Sequence, residues 1–229
     1  YPDVDDSAQV MLALAQVDTS DERFHRDAVR RGLDWELSMQ CRGGGWASFD
    51  KDNDRMVFQY VPFADHNAML DPPTVDITGR VLECLATYGY TLKDKPVKRA
   101  IDFIRKEQEP DGSWFGRWGV NYLYGTCCVL RGLDAIGYDH NDAMVQQGIE
   151  WIRMMQNPDG GWGETIGTYD DPSLRGTGES EVLINRYLDE VGKSGKGVFR
   201  LLASRADQRS YEDKRWGGGH GCFTWFLLE

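Results

Sequence analysis

A chain of 229 residues with 41% hydrophobic side chains is long enough for one large domain or two small ones. A formal net charge of −11 argues against nucleic acid as a partner, and no run of about 18 apolar residues is present to cross a membrane as a helix. The odd count of five cysteines, with no C-x-x-C pair, reads as reduced thiols in a cytosolic setting.

The chain opens Tyr1-Pro2-Asp3-Val4-Asp5-Asp6-Ser7-Ala8-Gln9, which sets three carboxylates within four positions. Like charges held together repel, so once buried at least one keeps its proton and the cluster titrates as a unit. A carboxylic acid still protonated at neutral pH is a Brønsted acid. The same residues also suit the start of a helix, where Asp is favoured at the cap and in the first turn. A start inside this pattern, without initiator Met or signal peptide, leads us to expect a piece of a longer protein.

Helical periods follow in chain order. Ala8, Met11, Leu12 and Ala15 fall at i, i+3, i+4 and i+7, and Val29, Leu33 and Leu37 share a second face. Asp50-Lys51-Asp52-Asn53-Asp54 begins like a calcium loop but has Arg55 at the sixth position and Val61 at the twelfth, where Gly and Glu are needed. Ile77, Val81, Cys84 and Leu85 predict a third helix, and Val97, Ile101 and Ile104 a fourth. Strand-like alternation is nearly absent.

One phrase recurs. Arg31-Gly32-Leu33-Asp34-Trp35 leads to Gln40 and Gly43-Gly44-Gly45-Trp46; Arg99-Ala100-Ile101-Asp102-Phe103 leads to Gln108 and Asp111-Gly112-Ser113-Trp114; Gln147-Gly148-Ile149-Glu150-Trp151 leads to Gln156 and Asp159-Gly160-Gly161-Trp162. Each copy reads as an amphipathic helix ended by a turn, because Pro cannot continue a helix and Gly accepts positive φ. The Gln is expected to bond the backbone of that turn and the Trp to cover it, a structural role. Paired helices with short turns predict an all-α fold, a solenoid or an α/α barrel.

The acid box followed by these Gln…Gly…Trp repeats resembles the squalene–hopene cyclases, the bacterial class II triterpene cyclases. Asp71-Pro72-Pro73-Thr74, Asp76, the stretch Pro110 to Thr126 and the stretch Asn157 to Tyr169 are similar as well. The resemblance covers residues 1–180 and implies an incomplete α/α toroid, of the type shared with protein prenyltransferases. It implies cyclisation of squalene to a hopene or hopanol, started by protonation of a terminal alkene. An alkene is a very weak base, so the donor must be poised and kept from water.

By that resemblance Asp5 is the proton donor, and Asp3 and Asp6 hold and polarise it. Arg80 falls where the family carries His or Arg and pairs with the acid; on the residues alone it is equally a solvated helix charge. Asp76 matches an acid in the network behind the donor, and it also suits a helix cap before Ile77. Trp118 and Tyr124 match the cavity wall near the acid. Phe49 stands where some members carry Tyr, His66 where some carry Phe, and Phe63 lies nearby. Ring faces stabilise carbocations without trapping them as nucleophiles. The resemblance further implies no cofactor and no metal, a monotopic contact with the inner face of a bacterial cell membrane, and a homodimer.

Residues 181–229 depart from the family pattern and are expected to be a divergent tail arising from a frameshift or a mis-joined gene. Without the aromatic-rich end of the family the barrel is expected to be open, with exposed apolar faces. His220 and Cys222 lack any zinc-ligand spacing. Two other functions fit parts of the pattern: a class II diterpene or sesquiterpene cyclase acting on a prenyl diphosphate, and a non-catalytic helical scaffold derived from a cyclase.

Overall fold

Helix starts are written into the sequence as acidic caps. In the structure, a computed structural model that describes residues 2–17, 19–55 and 69–180, Asp3 caps α1 (Val4–Leu14) by accepting the Asp6 N–H at 2.9 Å. Asp21 caps α2 (Glu22–Met39) through the Phe24 N–H at 3.0 Å. Then come α3 (Val75–Thr87), α4 (Lys95–Lys106), α5 (Asn121–Ala135) and α6 (Ala143–Met154), the last capped by Asp142. Short 3-10 turns follow at Ile166–Tyr169 and Pro172–Leu174. Among the described residues there is no strand, only isolated bridges between Trp46 and Thr74 and between Asn53 and Asp71. The fold is all-α, as the missing alternation predicts.

The helices divide by burial. α3 and α5 are apolar or small on most sides, and they pack on each other more extensively than any other pair. A Cβ on Gly79 would lie 2.3 Å from the Cys128 carbonyl oxygen, and one on Gly132 would lie 2.3 Å from the Gly79 oxygen, so the two backbones meet where side chains are absent. α1 packs on the other side of α3, giving a row α1–α3–α5. The amphipathic helices α2, α4 and α6 pack on α1, α3 and α5 in turn. Val4, Ala8 and Met11 of α1, Val81 and Leu85 of α3, and Val97 and Ile104 of α4 share one core. The period assigned to α1 runs one residue too far: Ala15 is the exposed C-cap.

The repeated phrase builds a repeated bolt. Gln40 Nε2 donates to the Gly44 oxygen at 2.7 Å and to the Pro96 oxygen at 2.9 Å; Gln108 Nε2 donates to the Gly112 oxygen at 3.0 Å and to the Met144 oxygen at 2.9 Å. Each amide therefore ties its own turn to the first residues of the next outer helix. The indoles reach back to their own helix: Trp46, Trp114 and Trp162 Nε1 donate to the oxygens of Glu36, Ile104 and Ile152 at 2.7, 2.8 and 2.8 Å. Gly44 and Gly112 hold φ of 102° and 94°, and a Cβ there would strike a backbone oxygen of α4 or α6. In the third copy, among the described residues, Gln156 Nε2 donates to the Gly160 oxygen alone, at 2.9 Å.

Candidate active site

The three helices of the inner row each bring one polar side chain to a common point. Asp5 sits in the first turn of α1, Arg80 in the middle of α3 and Tyr124 near the start of α5. Arg80 Nη1 donates to Asp5 Oδ1 at 3.2 Å, and Nη2 donates to the Tyr124 hydroxyl at 3.2 Å. The guanidinium carbon also stands 5.6 Å from the centre of the Tyr124 ring. Arg80 is therefore fixed on several sides and presents one face to the acid.

Burial pushes the Asp5 carboxyl above the ordinary carboxylate range; Arg80 opposes this, while Asp3 and Asp76 add to it. The two influences leave an acid that holds its proton longer than a free Asp, beside a cation that steadies the carboxylate once the proton has gone.

Asp3 and Asp6 contribute differently from one another. Asp3 is the cap described above, half-buried, and its charge acts on Asp5. The Asp6 side chain is exposed, and Asp6 meets Asp3 through its backbone N–H.

Asp76 is fully buried in the first turn of α3, but it does not cap that helix, whose N-cap is Thr74. Its Oδ2 accepts the Trp118 N–H at 2.9 Å, and its Oδ1 has no partner among the described residues. The carboxylate thus anchors the segment that carries Trp118, and its charge also acts on the titration of Asp5. Trp118 meets Phe49 edge to face, centroids 6.3 Å apart, and both rings are about 40% exposed. Phe49 is placed by the buried Asp71, which accepts the N–H groups of Ser48, Phe49 and Asp50. Phe115 and Tyr169 continue this exposed aromatic rim. Phe63 and His66 lie outside the described residues.

One acid of this region escaped the reading of the sequence. Glu36 on α2 is 0% exposed, and neither carboxyl oxygen has a partner among the described residues. Burial, then Asp3 and Asp5, push it up to about 8. It stands seven residues after Val29 and three after Leu33, on the apolar stripe of α2, and that spacing was the available signal.

Among the described residues, no group of three or more His, Cys, Asp or Glu is arranged to hold a metal ion, and no helix is long and apolar enough to cross a membrane.

Comparison with known proteins agrees with this geometry. The squalene-hopene cyclase C-terminal domain matches residues 1–184. A squalene–hopene cyclase of Alicyclobacillus acidocaldarius is 48% identical over 219 residues, covering 96% of this chain and 35% of that protein. A dammaradiene synthase of Dryopteris crassirhizoma is 38% identical, covering 96% of this chain and 37% of its own. A squalene–hopene cyclase of Zymomonas mobilis is 45% identical over 137 residues, 58% of this chain and 21% of that protein. The chain thus spans about a third or less of the length of these relatives. With the acid box, the inner row of helices and the three bolted turns in place, the chain belongs to the squalene–hopene cyclase family, in its α/α-toroid C-terminal domain.

Proposed function

We propose that the protein carrying this chain cyclises squalene to a pentacyclic triterpene of the hopene or hopanol type, with Asp5 giving the first proton. The observation that carries this reading is the grip of Arg80 on Asp5 and Tyr124 from three neighbouring helices. The Asp5 O–H bond breaks as a C–H bond forms at the terminal alkene carbon, leaving a tertiary cation that the next double bonds attack in turn. Arg80 stabilises the Asp5 carboxylate as it forms. Asp3 and Asp76 hold the acid in its protonated form beforehand, and Asp6 supports the helix start. The rings of Phe49, Trp118 and Tyr124 stabilise the growing cation, a task that the sequence also assigns to Phe63 and His66. Loss of a proton ends the sequence as hopene, and capture of water ends it as hopanol.

This chemistry needs no redox partner. Residues 1–180 form the acid-bearing part, with 181–229 a separate tail. Squalene is held in lipid, so the protein rests on the inner face of a bacterial cell membrane; the family resemblance adds a homodimer. The test is cyclisation in deuterated buffer: a product with one deuterium from the initiating acid is expected, and an unlabelled product would contradict proton initiation.

A further inference from the structure

The indole of Trp118 stands on a backbone that is held from several sides. Gly116 and Gly119 lie against the Tyr124 ring: a Cβ on either would come within 2.6 or 2.5 Å of a Tyr124 ring carbon. Asp76 accepts the Trp118 N–H at 2.9 Å, and the Tyr169 hydroxyl lies 3.2 Å from the Arg117 oxygen and 3.0 Å from the Gly119 oxygen. None of these bonds reaches the ring. Among the described residues the ring itself meets Phe49 edge to face and the Arg117 guanidinium, whose carbon is 5.5 Å from the ring centre. Arg117 is half-buried, and its Nη2 donates to the Leu70 oxygen at 3.3 Å. Leu70 is followed directly by Asp71, the residue that places Phe49. One side chain therefore spans from the Trp118 indole to the loop that fixes Phe49.

We propose that Arg117 is a specificity-determining positioning residue: it holds the Trp118 and Phe49 rings against each other, so that they cover the early cations and cyclisation runs on to the pentacyclic product. The inference rests on the reading of the chain as part of a squalene cyclase. It concerns which product leaves the site rather than how the first proton is given. A planar guanidinium suits the task, because it stacks on a ring and donates in its own plane at once, whereas an ammonium is a point charge. It sits over an indole that is still 40% exposed, so ring surface remains for the substrate. A cation that the rings do not cover loses a proton from a neighbouring carbon to water. The electron pair of that C–H bond becomes a new C=C bond, and the molecule leaves as an alkene with fewer rings.

The test uses the full-length protein that carries this chain, with squalene in detergent and products read by gas chromatography–mass spectrometry. Arg117→Met keeps an apolar stem and removes the fork; Arg117→Lys keeps the charge. The ratio of mono- and bicyclic to pentacyclic product is expected to rise about 2- to 5-fold in Arg117→Met and less in Arg117→Lys. An unchanged or lower ratio overturns the proposal, as does a slower rate with the product ratio of the parent. Thermal melts show which variants fold, and where Arg117→Met does not, the ratio in Arg117→Lys decides. A parent that gives no cyclised triterpene overturns the squalene reading instead, and a second measurement then decides the role of Arg117 without turnover. With 5-fluorotryptophan incorporated, the ¹⁹F resonance absent in Trp118→Phe shifts in Arg117→Met and shifts less in Arg117→Lys. A resonance that stays in place overturns the hold of Arg117 on the ring.

Discussion

Arg80 and Asp5 lie 75 residues apart in sequence and 3.2 Å apart in space, with both side chains about three-quarters buried. A pair this protected from water is not the weakly coupled kind found at surfaces. Its strength is also asymmetric, because the guanidinium stays charged while the carboxyl cycles. Removing the cation with Arg80→Gln leaves burial, Asp3 and Asp76 to raise Asp5 further. Each unit of that rise costs the donor up to about tenfold in acid strength. The expected result is a loss of roughly 10- to 100-fold in cyclisation rate, partly restored in Arg80→Lys. Steady-state rates on squalene measure it; an unchanged rate in Arg80→Gln would separate the ion pair from the chemistry.

Glu36 has a consequence for stability whose sign is determined by its titration. In the unfolded chain it ionises near 4.5, and in the fold near 8. Between these values the folded protein holds a proton that the unfolded chain has released, so stability falls as pH rises through this window. The loss is on the order of a few kcal/mol. Glu36→Leu is expected to raise the melting temperature, with a larger gain at pH 8 than at pH 5. Thermal melts at the two pH values test this, and an equal or negative gain would contradict the buried, unpartnered carboxyl.

The bolts differ in what they join. Gln108→Ala removes two part-buried bonds, one to its own turn and one to α6, at a cost of about 1–3 kcal/mol. Gln156→Ala removes a single exposed bond among the described residues and is expected to cost less than about 1 kcal/mol. Denaturant midpoints of the two variants give the comparison, and equal losses would mean that the second bond of Gln108 carries no weight.

Among the described residues, five of the six helices were legible: α1, α2, α4 and α6 each have a wet face that imposes a period on the sequence, and α3, though mostly buried, keeps its large apolar residues Ile77, Val81, Cys84 and Leu85 at helical spacing. The sixth, α5, was not, since Asn121, Tyr122, Leu123, Gly125, Thr126 and Cys128 to Leu130 are all buried and no polar stripe interrupts them. Its start is also hidden. Glu164 supplies the cap from a distant loop, its Oε2 accepting the N–H groups of Asn121 and Leu123 at 3.0 and 2.8 Å. The acid box was visible as a charge cluster, yet no spacing rule links it to Arg80 or Tyr124, which reach it only because Gly79 and Gly132 bring α3 and α5 together. Of the two roles that Asp76 suited in the sequence, an acid behind the donor and a helix cap, it does not take the cap, and it accepts the Trp118 N–H instead. Glu36 passed as one more charge on an amphipathic helix, although its place on the stripe turns it inward.

The central claim is that Asp5 starts a cyclisation. It is tested most directly by incubating the protein and its Asp5→Asn variant with squalene in detergent and reading the products by gas chromatography–mass spectrometry. Cyclised triterpene from the parent, with a loss of at least about 100-fold in the variant, is the predicted result. Equal amounts of cyclised product from both would contradict it.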